Sequence, residues 1–398
     1  MQKTMQFQVT LSNPVHPEYG VVTIPFPLPR EEYDHSIEML EVLEIGDAIS
    51  QDCKVEEITG GYTVLKRLEG RTVNVDELDY LAKRLDSFAA GCEDDQFQAM
   101  TEKLDLTDIR DFINLTFCCQ QATVITDFSN LERVGKKHYL HLNEGAITAE
   151  DLENLDGEET ARLLIDSGTG VVTPYGVVYD NGMELEPLYF GGTFPSYLYD
   201  AHPLVLEVSP LSGPEDARNI TFLNLPLTDK QLERTLTRGG IESMDQVCFN
   251  IDSIWVDKLD SVPNLELENL TDLNEMCKAI VSLRHNDLRK LSAAIILALP
   301  QNALEVKHLA ENLELFEFIP DIKTPEEYGR YMIQKSGRFE FDDNLEDFYD
   351  FEGYARQRMS QEQGRFVEEG YISYRGAMRL EKLLTDSQEQ GFQMGGMQ

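Results

Sequence analysis

Basic residues are what this sequence is short of. Against 72 Asp and Glu stand only 34 Lys and Arg, which leaves a net charge of −38 over 398 residues and a pI near 4.4. Phosphate contacts are made by Lys and Arg, so direct binding of nucleic acid is not expected. Long apolar runs are missing too: none approaches the ~18 residues that a spanning helix needs. With no signal peptide or lipidation motif read at either end, a soluble cytoplasmic chain without a membrane partner is expected. Tryptophan occurs once, as Trp255 in the alternating stretch Asn250-Ile-Asp-Ser-Ile-Trp-Val256, where it is expected to pack in a core or between units. The six cysteines, Cys53, Cys92, Cys118, Cys119, Cys248 and Cys277, form no C-x-x-C pair. Neither a disulfide framework nor a zinc site is expected from them, and reduced, inert thiols are the default.

Catalytic signatures are equally scarce. Gly135-Lys136 has Asn130 where a Walker loop needs glycine, and no Ser or Thr follows the lysine. There is no H-E-x-x-H and no G-x-S-x-G, and Asp342-Asp343 lacks the glycine and terminal glutamate of a calcium loop. The seven histidines do not cluster; His138 and His141 read as surface or packing residues. No carboxylate pair stands out for glycoside chemistry. The expectation is a protein that is not an enzyme, with no catalytic residue, no cofactor and no metal.

What is present is an acidic stretch studded with aromatics. Between Arg338 and Gly353 lie Glu340, Asp342, Asp343, Glu346, Asp347, Asp350 and Glu352, interleaved with Phe339, Phe341, Leu345, Phe348, Tyr349 and Phe351, and no base follows Arg338 within it. A disordered acidic tail is poor in large apolar groups. A folded segment is therefore expected, with Phe348 and Phe351 buried and the carboxylates exposed on the other side.

The pattern recurs. Tyr139-Leu-His-Leu-Asn-Glu-Gly145 answers Tyr331-Met-Ile-Gln-Lys-Ser-Gly337, and Glu150-Asp-Leu-Glu-Asn-Leu-Asp156 answers Asp343-Asn-Leu-Glu-Asp-Phe-Tyr349. Ala161-Arg162 answers Ala355-Arg356, the offset staying near 193 residues. An internal repeat sets the architecture wherever it occurs. It gives the first copy its own acids: Glu150, Asp151, Glu153, Asp156, Glu158 and Glu159.

Taken in order, the expected class is α+β: an elongated multi-domain chain of two tandem copies, each of three subdomains. Residues 1–70 form a small α/β subdomain, 71–137 a helical one and 138–180 an acidic α/β one; 181–203 connect the copies. Residues 204–260, 261–322 and 323–378 repeat the three, and 379–398 are a tail, expected to fray from about Asp386. Met5 to Leu11 alternates as a half-buried strand, and Val21 to Phe26 is a second strand. Leu78, Leu81 and Leu85 share one helical face, as do Leu273, Met276 and Ile280. Asn286 to Leu299 is expected to be a core helix, and 170–179 and 365–374 each to form two short strands around a tight turn.

At Ala355-Arg356 to Tyr374, preceded by Tyr331 to Gly337 and by Leu345 to Tyr354, the chain resembles the ArdA antirestriction proteins of plasmids and conjugative transposons. The resemblance extends back through Phe222-Leu-Asn-Leu-Pro-Leu227, so residues 204–377 are similar to one ArdA unit and residues 5–180 to a more diverged second. What it implies is a DNA mimic, coded on a mobile genetic element. Such a protein occupies the basic DNA groove of a type I restriction-modification enzyme and blocks it stoichiometrically. The thirteen acids named above would then be the partner-binding residues. Familiar members are single units that dimerise; a tandem chain either replaces that dimer with an intrachain pseudo-dimer or extends it as a homodimer.

Charge alone reaches a compatible place. Duplex DNA carries one charge per about 1.7 Å of axis, so the net charge of −38 corresponds to roughly 65 Å, or about 19 base pairs. Two alternatives remain open: an acidic inhibitor of another DNA-binding or RNA-guided defence enzyme, and a metal-dependent hydrolase whose acids bind cations.

Overall fold

The computed structural model describes residues 7–88, 93–143, 146–197, 199–211, 220–244 and 247–385; the end from Asp386 and Cys92 lie outside them. Helices and small antiparallel sheets alternate, an α+β chain. The chain divides into two units: Met1–Tyr199 with Ser212–Thr221 and Thr228–Ser243, and Asp200–Leu211 with Phe222–Leu227 and Met244–Gln398.

The first unit opens with β1 (Phe7–Ser12) and β2 (Val21–Phe26), then α1 (Tyr33–Val42), β3 (Cys53–Gly60) and β4 (Thr72–Val73). They make an antiparallel sheet of order β2-β1-β3-β4. The period of two does its work in β1, where Phe7, Val9 and Leu11 are buried while Gln8 and Thr10 are partly solvated. Helix α2 (Val75–Asp86) starts where Asn74 accepts from the amides of Asp76 and Glu77, and its Leu78, Leu81 and Leu85 are buried together. Next come α3 (Glu93–Lys103) and α4 (Ile109–Leu115), whose Phe97 and Phe112 rings meet edge-on at 6.0 Å. Helix α4 begins at Ile109, where the Asp108 side chain accepts from the Arg110 amide and caps it.

A second sheet follows. Strand β5 (Thr123–Ile125), the helices α5 (Leu131–Leu142), α6 (Ala149–Asn154) and α7 (Gly157–Asp166), and strands β6 (Val171–Thr173) and β7 (Gly176–Tyr179) complete it in the order β5-β7-β6. His138 and His141 sit on α5 over this sheet, His138 buried with Nδ1 2.9 Å from the Thr123 hydroxyl. Residues 181–197 lie on the same unit: Tyr189 is buried, and its amide donates to Asn114 Oδ1 at 2.7 Å. Helix α8 (Asp229–Arg238) returns to this unit and delivers two arginines. Arg234 pairs with Asp76 at 2.7 Å, and Arg238 stacks over the Phe194 ring at 4.3 Å while bonding the Tyr189 hydroxyl.

In the second unit β8 (Leu204–Pro210), β9 (Thr221–Leu225) and β10 (Val247–Ile254) form a sheet of order β10-β8-β9. Helices α9 (Leu270–Val281), α10 (His285–Ala298) and α11 (Ala303–Glu311) follow. Leu273, Met276 and Ile280 are buried on α9, and Leu291, Ala293, Ala294 and Ile295 make α10 a core helix. The last sheet holds β11 (Phe316–Pro320), β12 (Gln363–Val367) and β13 (Gly370–Tyr374) in the order β11-β13-β12. Between β11 and β12 come α12 (Pro325–Arg330) and α13 (Phe351–Met359); α14 (Leu380–Thr385) closes the described chain. Thr324 and Glu327 cap α12 reciprocally, with Pro325 in its first turn.

Trp255 departs from expectation. It lies one residue past β10 and is 60% exposed, its indole N–H satisfied locally by Ser253 Oγ at 3.2 Å. With that donor met at the surface, no core partner is needed.

Candidate functional site

Two helix crossings set the acids of each unit in place. In the first, a Cβ on Gly135 of α5 would stand 1.8 Å from the Gly157 carbonyl oxygen at the start of α7. In the second, a Cβ on Gly329 of α12 would stand 2.0 Å from the Phe351 carbonyl oxygen at the start of α13. Only glycine lets such backbones touch. Each crossing pins the N-terminus of a helix whose cap and first turn are acidic: Asp156, Glu158 and Glu159 on α7, and Asp350 and Glu352 on α13. Carboxylates there are favoured by the helix dipole, so part of the acid pattern has a local structural cause.

The first unit exposes Glu150, Asp151, Glu153, Asp156, Glu158 and Glu159, all on α6 and α7 or their caps. Several are engaged. Asp156 caps α7 by accepting from the Glu159 amide at 2.9 Å, and Asp151 accepts from the Thr148 hydroxyl at 2.6 Å. Arg162 pairs with Glu158. Nearby, the Lys136 ammonium beside Glu132 holds that carboxyl below its ordinary range.

In the second unit Glu340, Asp342, Glu346, Asp350 and Glu352 are exposed along a stretch that includes a 3-10 turn, Asp343–Phe348. The side chains of Asp343 and Asp347 lie outside the described ones. Asp342 caps the turn through the Asn344 amide at 3.0 Å, and Asp350 caps α13 through the Gly353 amide at 2.7 Å. Two acids also meet bases. Arg330 of α12 pairs with Glu346, and Arg356 pairs with Glu352 at 2.6 Å, so the run without bases in sequence is partly answered in space.

The aromatic anchor is narrower than expected. Phe351 is 3% exposed and packs against the tilted rings of Phe341 and Tyr349 and under the Arg330 guanidinium, but Phe348 is 87% exposed. The expectation that Phe348 is buried is therefore wrong: it is the last residue of the 3-10 turn, and the packing against Phe341 and Tyr349 is made by Phe351. Sequence alone also missed Arg330, which acts across 16 residues from Glu346 and carries no local signal.

Among the described residues no three His, Cys, Asp or Glu side chains converge to hold a metal ion, and no helix is long and apolar enough to cross a membrane. Burial pushes the Cys118 thiol up to about 11, and Cys53, Cys119 and Cys277 higher still, away from nucleophilic thiolate. Cys248 is exposed instead.

The site in the second unit falls inside a recognised segment. Residues 221–373 match the family model of the antirestriction protein (ArdA). No curated protein matches the chain. The ArdA match includes α8, the whole of α9 to α13 and every acid from Glu340 to Glu352, and it covers well under half of the 398 residues.

Proposed function

We propose that this protein is a DNA mimic that blocks a type I restriction-modification enzyme by occupying its basic DNA groove, stoichiometrically and without chemistry. The observation that carries this reading is the row of exposed carboxylates between Glu340 and Glu352, inside the segment that matches the antirestriction family. A net charge of −38 supports it, because rows of fixed carboxylates release counterions from a basic groove as phosphates do.

The first unit is read as a diverged second copy of the same module. Supporting this, β2-β1-β3 and β9-β8-β10 share one strand order, and so do β5-β7-β6 and β11-β13-β12. Gly135 and Gly329, Asp156 and Asp350, and the pairs Glu158–Arg162 and Glu352–Arg356 all recur at a spacing of 194 residues. The subdomain boundaries and the thirteen partner-binding acids given above follow from this reading. A cytoplasmic location and a mobile-element origin go with it.

The test is a titration of purified protein into a type I enzyme bound to fluorescent duplex carrying its recognition site. Displacement should saturate at a fixed small ratio of protein to enzyme, and both partners should keep their intact masses afterwards. Turnover at substoichiometric protein, or a covalent change in either partner, would refute mimicry. Displacement seen only with another DNA-binding or RNA-guided enzyme would redirect the target and keep the mechanism.

A further inference from the structure

The acid row of the second unit is held at both ends by one ionic ladder. Arg338, immediately before the row, donates from Nη2 to Glu317 Oε1 on β11 at 2.8 Å. The other Glu317 oxygen takes the Nη2 of Arg375, just past β13. Arg375 turns its Nη1 to Glu362 Oε1 at 2.9 Å. Glu362 is nearly buried and also receives Arg358 Nε of α13 at 2.8 Å and the Tyr328 hydroxyl of α12 at 2.8 Å. Alternating charges thus run from the residue that opens the acidic stretch, through the sheet, to the helix that closes it.

Among the described residues of the first unit the same ladder does not recur. At the positions 194 residues earlier stand Thr123 for Glu317, Asn181 for Arg375 and Gly168 for Glu362. Thr123 and Asn181 do meet, through a neutral hydrogen bond of 2.9 Å. The pairing of strand ends is common to both units, and the charge is peculiar to the second.

We propose that Arg338, fixed through Glu317 and Arg375, is a positioning residue that sets the spacing of the carboxylates from Glu340 to Glu352. This rests on the mimic reading and adds to it a cation that improves binding to a cationic groove. The sign is the distinguishing feature. Arg338→Gln takes the net charge one unit further below −38, so charge counting alone predicts equal or tighter binding. Positioning predicts weaker binding, because loosened carboxylates must be ordered on docking.

The experiment compares the full-length wild type with Arg338→Gln, Arg338→Lys, Arg375→Gln and the control Asp342→Asn. Each competes with fluorescent duplex for a type I enzyme, and amide hydrogen exchange is followed in parallel on the free proteins. Arg338→Gln should bind about threefold to fivefold more weakly, the scale of one partly exposed ion pair, and Arg338→Lys should restore most of it. Exchange over 339–350 should rise in both glutamine variants while β11 and β13 stay protected. Unchanged or tighter binding by Arg338→Gln, or unchanged exchange over 339–350, overturns the proposal. A wild type that never displaces duplex sinks the mimic reading instead, and exchange still decides the ladder.

Discussion

Gly135 and Gly157 touch backbone to backbone: a Cβ on Gly135 would stand 1.8 Å from the Gly157 carbonyl oxygen and 2.9 Å from the Ala161 amide nitrogen. No flexible side chain lies there to give way. Gly135→Ala should therefore push α5 off α7 and destabilise the acidic part of the first unit by about 1–3 kcal/mol, the usual range for forced overpacking. Urea unfolding followed by circular dichroism reads this directly. An alanine variant as stable as wild type would mean that the crossing is looser than described.

The cost of breaking a buried ion pair gives a second expectation. Asp76 and Arg234 are both largely buried; the carboxylate also accepts the Tyr33 hydroxyl at 2.6 Å, and the guanidinium donates to the Gly46 carbonyl at 2.6 Å. Removing one partner leaves the other charge buried without its counter-ion, which costs about 3–5 kcal/mol. Arg234→Met alone should be strongly destabilising in a thermal melt. The double change with Asp76→Leu should recover a large part of the loss, and a double variant no better than the single would exclude charge burial as the cause.

His141 gives the pH dependence its sign. Burial depresses its pKa to about 4, with Lys137 and His138 adding to the shift, and His138 is lowered by burial as well. The folded state thus disfavours protonation relative to the unfolded chain, whose histidines titrate near 6.5. The contribution is fully present above pH 6.5 and is lost as pH falls from there towards 4. After discounting for partial exposure it amounts to about 2 kcal/mol. Melting of the wild type should fall across that window, and His141→Gln should flatten the decline; an equal slope in both would remove His141 from the account of acid lability.

What the sequence makes legible depends on the range of the interaction. Leu78, Leu81 and Leu85 come out buried together because helical spacing is a local property, and the β12–β13 hairpin around Glu368 and Glu369 is equally local. Phe348 and Trp255 did not follow, because exposure of an aromatic at the end of a turn or strand is decided by what else fills the space beneath it. Phe351, not Phe348, packs against Phe341, and Ser253 satisfies the indole of Trp255 at the surface. The pairs Arg330–Glu346 and Arg375–Glu317 were illegible for another reason: they span 16 and 58 residues and depend on where strands and helices come to rest. The acid rows themselves were visible, while the capping duties of Asp156 and Asp350 appear only once the helix starts are known.

Single neutralisations along the acid row should be nearly silent, since an exposed ion pair contributes roughly 0–1 kcal/mol. Five or six together should act cumulatively, because counterion release scales with the number of charges matched. The most direct measurement is duplex displacement from a type I enzyme across a salt series, for wild type, for Asp342→Asn alone, and for the combined change of Glu340, Asp342, Glu346, Asp350 and Glu352 to their amides. Mimicry predicts a steep salt dependence for wild type, an almost unaltered curve for the single change, and a weaker, flatter curve for the combined one. A single carboxylate whose loss abolishes inhibition at unchanged salt slope would contradict it.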